Sequence, residues 1–156
     1  MANLTVREYH PESGELLQNI SSLNYGKVTA GTTSRVKVLD IAFSDISEIS
    51  NIKLGIVSDG NISVNDAPED IASDGSSSNG HFGIETSSDF DSSIAASPLS
   101  RHFPGINSTD TAGDSNNVSV PKRSSVLSNY IYLDIEIASS DISEKNGAYK
   151  VYFDYA

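Results

Sequence analysis

The last quarter of the chain alternates apolar and polar residues almost without a break. Ile131, Leu133, Ile135 and Ile137 fall on one face of an extended segment, with Tyr130, Tyr132, Asp134 and Glu136 on the other. After a short polar gap, Tyr149, Val151, Phe153 and Tyr155 repeat the pattern. Side chains of a strand point alternately to opposite faces, so this periodicity predicts strands with one buried face. Two such runs joined by a loop predict a β-hairpin. No segment sustains the three-and-four spacing of a helical stripe. Ser13 to Ser21 offers a turn or two, weakened by Gly14 and Asn19. The expected class is all-β.

Further strands are expected toward the N-terminus. Leu4 and Val6 pair before a break at Pro11, Ser13 and Gly14, and Leu16 to Leu23 follows. In the run Arg35 to Phe43, Val36 and Val38 share one face while Leu39, Ile41 and Phe43 share the other, a phase slip that predicts a β-bulge or a switch between sheets. Ile52, Leu54 and Ile56 are in phase, and Asp59-Gly60 marks a turn into Ile62 to Val64. Ser44 to Glu48 recurs identically as Ser140 to Glu144, each copy shortly after a Leu-Asp-Ile segment and before another strand. Its Asp and Ser side chains can bond nearby backbone groups, which suits one loop device used twice.

At 156 residues the chain has the length of one domain, residues 1–156, able to bury a core. Ten basic residues against twenty-one acidic ones leave a net charge of −11, which repels phosphate backbones and anionic membranes. Nucleic acid and membrane are therefore not expected partners. The absence of cysteine removes disulfides, thiolate metal sites and thiol nucleophiles together. The charged N-terminal residues lack the apolar core of a secretory signal, which points to a protein made in a cytosol and not exported by the general route. The sequons at Asn3, Asn19, Asn61, Asn107 and Asn117 would matter only in a secretory pathway.

From residue 65 to about 125 the composition shifts to Ser, Asp, Gly and Asn, with apolar residues coming singly. Only His81 to Glu85 reads as a strand there. A stretch of this length is either a set of solvated loops or an insertion ordered by neighbouring subunits. Within it, Pro98 to Ile106 mixes apolar, aromatic and basic residues, so Arg101, His102 and Phe103 are expected at a contact site. Tyr130 and Tyr132, with Tyr152 on the corresponding face of the last strand, present apolar rings with polar tips. They suit packing against the insertion, a protein interface or stacking on sugars.

Chemistry has few candidates. Asp89 and Asp91, and the crowd of Asp66, Glu69, Asp70 and Asp74, sit among Ser and Gly without the apolar surround that would separate two pKa values. The acidic run also lacks the regular oxygen spacing of an EF-hand loop. His10, His81 and His102 are far apart in sequence, and no Gly-x-Ser-x-Gly elbow occurs. No catalytic residue, cofactor or metal is expected.

The run Leu23 to Ser34, followed by Val36 to Phe43, combines an aromatic-Gly-x-Val segment, a Gly-Thr turn and a β-branched strand. It resembles the opening of immunoglobulin-like sandwich modules. Similar openings occur in small structural proteins of tailed-bacteriophage virions, and the chain shares their look: short, cysteine-free, acidic and rich in Ser, Gly and Asn. The resemblance implies an immunoglobulin-like β-sandwich with a long loop-rich central insertion, residues 65–125. It also implies a non-enzymatic virion component, such as a capsid decoration, neck or tail protein, assembled in the host cytoplasm. Its partners would be other virion proteins and copies of itself, as a homo-oligomer. Tyr130, Tyr132, Tyr152, Arg101, His102 and Phe103 are the expected interface residues. A carbohydrate-binding or adhesin-like recognition module using the three tyrosines is the second expectation.

Overall fold

A computed structural model of the chain describes residues 2–57, 81–107, 111–137 and 148–156. The expected Asp59-Gly60 turn, the strand Ile62 to Val64, the acidic run from Asp66 to Asp74 and the second pentapeptide, Ser140 to Glu144, lie outside these residues. The described chain is all-β. Its strands are β1 (Asn3–Tyr9), β2 (Leu16–Ile20), β3 (Lys37–Ser44), β4 (Ile49–Val57), β5 (His81–Ser87), β6 (Val118–Ser119), β7 (Tyr130–Glu136) and β8 (Ala148–Tyr155). A one-turn helix, α1 (Ser92–Ala95), follows β5. The strands form two antiparallel sheets, a larger one ordered β2-β1-β3-β7-β5 and a smaller one ordered β6-β4-β8.

The two best-patterned runs do not form a hairpin. β7 pairs with β3 and β5, whereas β8 pairs with β4 in the other sheet. Alternation demands one buried face for each strand, and facing each other across a core meets that demand as well as lying side by side. The inner faces of the sheets supply that core, with Leu39, Ile41 and Leu133 meeting Leu54 and Ile56. The first pentapeptide copy, Ser44 to Glu48, carries the chain from β3 in one sheet to β4 in the other. Asp45 takes a left-handed backbone there, φ 62°, a region that Asp tolerates better than most residues.

The phase slip around Val38 has a different origin from the one expected. β3 keeps an unbroken register against β1 from Val38 to Ser44, so there is no bulge. Val36 and Val38 are instead buried on the outer face of the larger sheet, in a second cluster with Tyr9, Leu99 and Tyr132. A strand covered on both faces shows apolar residues in both phases. The cover is the central stretch itself, with Phe90, Ile94 and Leu99 lying over β1, β3 and β7. The same stretch sends Phe103, Ile106, Val118 and Val120 into the inter-sheet core. In its described part, 65–125 is thus not a set of solvated loops.

Two glycines fit this cover to the sheet. At Gly14, φ 72°, the β1–β2 turn passes so close to Phe90 that a Cβ would stand 2.6 Å from the ring. At Gly83 of β5, a Cβ would collide with Oδ1 of Asp134 on the neighbouring strand. If the central stretch is core, Phe103→Ala should cost about 3–5 kcal/mol of unfolding free energy in urea titrations. Arg101→Ala, two residues away and exposed, should stay within about 0.5 kcal/mol of the parent.

Candidate functional site

The outer face of the larger sheet concentrates the chain's buried charge. Asp40 lies at the centre of β3 with its side chain fully buried. Arg7, its cross-strand neighbour on β1, donates from Nε at 2.8 Å and from a terminal nitrogen at 2.6 Å. Arg123 reaches in from the segment before β7 and donates at 2.6 Å, and the Tyr9 hydroxyl adds a bond of 3.0 Å. Burial alone would raise the Asp40 pKa. The hydrogen bonds from Arg7, Arg123 and Tyr9 outweigh it and hold the carboxyl below the usual range. The Arg123 guanidinium also lies over the Tyr130 ring, 4.4 Å from its centre, and Tyr9 meets that ring edge-on at 5.1 Å.

Asp134 occupies the matching place in β7 and is equally buried. No arginine meets it. Its Oδ2 accepts the backbone N–H of Leu99 at 2.9 Å, and burial dominates, pushing its pKa up. Beside it, at the start of β5, the imidazole of His81 stacks on that of His102, with centres 3.7 Å apart. His81 Nδ1 is 2.8 Å from a carboxylate oxygen of Glu136, its cross-strand partner. His102 Nε2 stands 3.2 Å from the Leu99 carbonyl oxygen. The group tethers the 98–103 segment to β5 and β7. Among the described residues, no three His, Asp or Glu side chains converge as metal ligands.

The expected interface residues do not form one surface. Tyr132 is fully buried, its hydroxyl 2.7 Å from Ser87 Oγ and accepting the Asp91 N–H at 2.9 Å. Tyr130 is partly covered by Tyr9, Phe90 and Arg123. Tyr152 belongs to β8 of the opposite sheet, so the three tyrosines make no continuous row. Phe103 is wholly inside the core, Arg101 is exposed, and His102 is half-buried against His81. Packing beneath the central stretch is what Tyr132 does. Phe103 and Tyr132 have no surface to offer a partner while the fold is intact.

What remains open is at the rim. β2 is the outermost strand of the larger sheet, and Leu16 and Leu17 on it are 50% and 52% exposed. Tyr155, near the end of the outer strand β8, is similarly exposed. The opposite rim of the larger sheet is closed, because residues 101–103 bond to β5 through Ile84 and Phe82. Sequence reading noticed the β2 strand but assigned it no role. It missed the Arg7–Asp40–Arg123 clamp, although a charge inside the apolar run Val38 to Phe43 was a signal.

No protein-family model matches the chain, and no curated protein or solved structure is significantly similar to it. Among the described residues, no helix is long and apolar enough to cross a membrane.

The two aspartates should pull stability in opposite directions as pH changes. Asp40, lowered in the folded state, contributes stability that is full above the unfolded carboxylate pKa of about 3.9 and lost as pH falls through its folded value. Asp134, raised on folding, favours the folded state below about 3.9 and loses that contribution as pH rises through its folded value. Urea midpoints between about pH 3 and pH 7 should show Asp40→Asn flattening the acid-side loss. Asp134→Asn should gain most at neutral pH. Asp40→Ala, which strands two arginines, should cost about 3 kcal/mol at pH 7.

Proposed function

We propose that the chain is a non-enzymatic structural subunit of a tailed-bacteriophage virion, working through contacts with copies of itself and with neighbouring virion proteins. The observation that carries this reading is the outer strand β2, with two adjacent leucines half-exposed on its two faces. An edge strand offers a row of backbone donors and acceptors as a template for another strand, and exposed leucines add apolar area to such a contact. Asp40, Tyr132 and Asp134, buried on the outer face of the larger sheet, are engaged in holding the central stretch onto it. That role needs rigidity, not turnover. An immunoglobulin-like ancestry and assembly in a host cytoplasm belong to this same reading. The carbohydrate-binding alternative relied on a row of exposed tyrosines, and Tyr132 lies beneath the central stretch.

Net charge sets the expected behaviour in solution. Copies carrying −11 repel one another, and salt screens that repulsion over a Debye length of about 10 Å at 0.1 M. Sedimentation velocity should therefore show self-association that strengthens between about 0.05 and 0.5 M salt. Leu16→Glu with Leu17→Glu should weaken it at every salt concentration while leaving the urea midpoint within about 0.5 kcal/mol of the parent. A parent chain that stays monomeric across the series, or a double variant that associates as well as the parent, overturns the edge-contact reading.

A further inference from the structure

The two sheets do not close on each other everywhere. On the β1–β2 side they bound a cavity of about 770 Å³. Its walls carry Leu39, Ile41 and Leu133 from the larger sheet and Leu54, Ile56 and Val151 from the smaller one. Ser21, Ser22 and the partly exposed Leu4 stand at its outer end. Protein interiors are packed like organic crystals, with few voids larger than a water molecule. A space in the range of about 300–1,000 Å³ with apolar walls has the dimensions of a small-molecule site.

Polar groups in the wall define what would fit. Tyr25, from the segment before β3, and Tyr149 of β8 both contribute to the lining. Their hydroxyl oxygens are buried and stand close enough to act on each other as a hydrogen-bonding pair, with no further partner among the described residues. Burial pushes both pKa values far up, so both hydroxyls stay neutral, and a pair in which one donates to the other still has one O–H in need of an acceptor. Among the described residues no Lys, Arg or His lines the cavity, and the field of Asp134 acts on both hydroxyls. An anionic head group would meet a negative potential with no counter-charge.

We propose that this cavity binds a neutral, mainly apolar small molecule carrying one hydroxyl or carbonyl oxygen, which accepts the O–H left over by the Tyr25–Tyr149 hydroxyl pair. The site is separate from the β2 edge contact and stands or falls without it. Apolar lining supplies the affinity, and the tyrosine pair supplies the preference for an oxygen-bearing guest over a hydrocarbon.

The neutral fluorophore N-phenyl-1-naphthylamine, titrated with the full chain, should show saturable one-to-one binding. 1-Decanol should displace it at a concentration about tenfold lower than undecane does, the worth of one net hydrogen bond, and decanoate should be the poorest competitor. Ala148→Phe, which narrows the cavity from β8 without touching the central core, should weaken probe binding about tenfold. The double variant Tyr25→Phe with Tyr149→Phe should leave probe binding intact and erase the advantage of decanol over undecane. The proposal fails if the probe does not saturate, if decanoate competes as well as decanol, or if the double Tyr25→Phe, Tyr149→Phe variant keeps the decanol preference. It also fails if probe binding disappears as protein concentration rises and sedimentation shows dimers, since a second copy then fills the space. Should Ala148→Phe misfold by circular dichroism, the competition series on the parent chain and the double tyrosine variant still decides the matter.

Discussion

A carboxylate with no exposed surface stays charged only where donors surround it, and in β3 that requirement draws three distant parts of the chain together. Arg7 and Asp40 are cross-strand partners, so the clamp fixes how β1 lies on β3. Arg123 closes the third side and, through its stacking on Tyr130, draws the segment ahead of β7 over the same face. Removing the carboxylate would leave two guanidinium groups facing each other under a partial cover. Tyr9 belongs both to the clamp and to the apolar cluster of Val36, Val38, Leu99 and Tyr132, and Asp40 is fully buried while the two guanidinium side chains keep some exposure. Charge and apolar packing on this face are one structure.

The Leu-Asp-Ile segments of β3 and β7 place aspartates on that face under opposite conditions. Asp40 is met by cations and held ionised below the usual range, whereas Asp134 is met by a backbone amide and pushed toward its neutral form. The difference lies in the neighbours, not in the local sequence. Asp134 instead ties down the Leu99 amide, and the stacked histidines fasten the adjoining turn. A stretch poor in apolar residues is thereby seated on the sheet by hydrogen bonds, with a few large side chains as pegs.

Period-two patterning made the strands legible, and with them the all-β class. Ile52, Leu54, Ile56, Ile131 and Leu133 are buried as their phase implies. Pairing was less legible, because alternation states that a strand has a buried face but not which strand lies beside it. The expected hairpin of β7 and β8 was lost on that ambiguity. The apparent phase slip near Val38 reflected cover on a second face, which no local pattern reports. Leu99, Phe103 and Ile106 read as part of a contact segment for a partner, since their burial within the chain depends on where the loop travels. The clamp stayed hidden for a similar reason, with partners 33 and 83 positions from Asp40. Half-exposed leucines on an outer strand become notable only once the strand order is known.

The contact between Gly83 and Asp134 constrains how this sequence can diverge. Any side chain at position 83 would occupy the space of the neighbouring carboxylate, and Leu99 closes the remaining side. A relative that had acquired alanine at 83 would need a smaller residue at 134, and then another acceptor for the amide of Leu99. The three positions should therefore vary as a set or not at all, and that linked variation would be the most direct signature for tracing distant kin of this protein once sequence identity has faded.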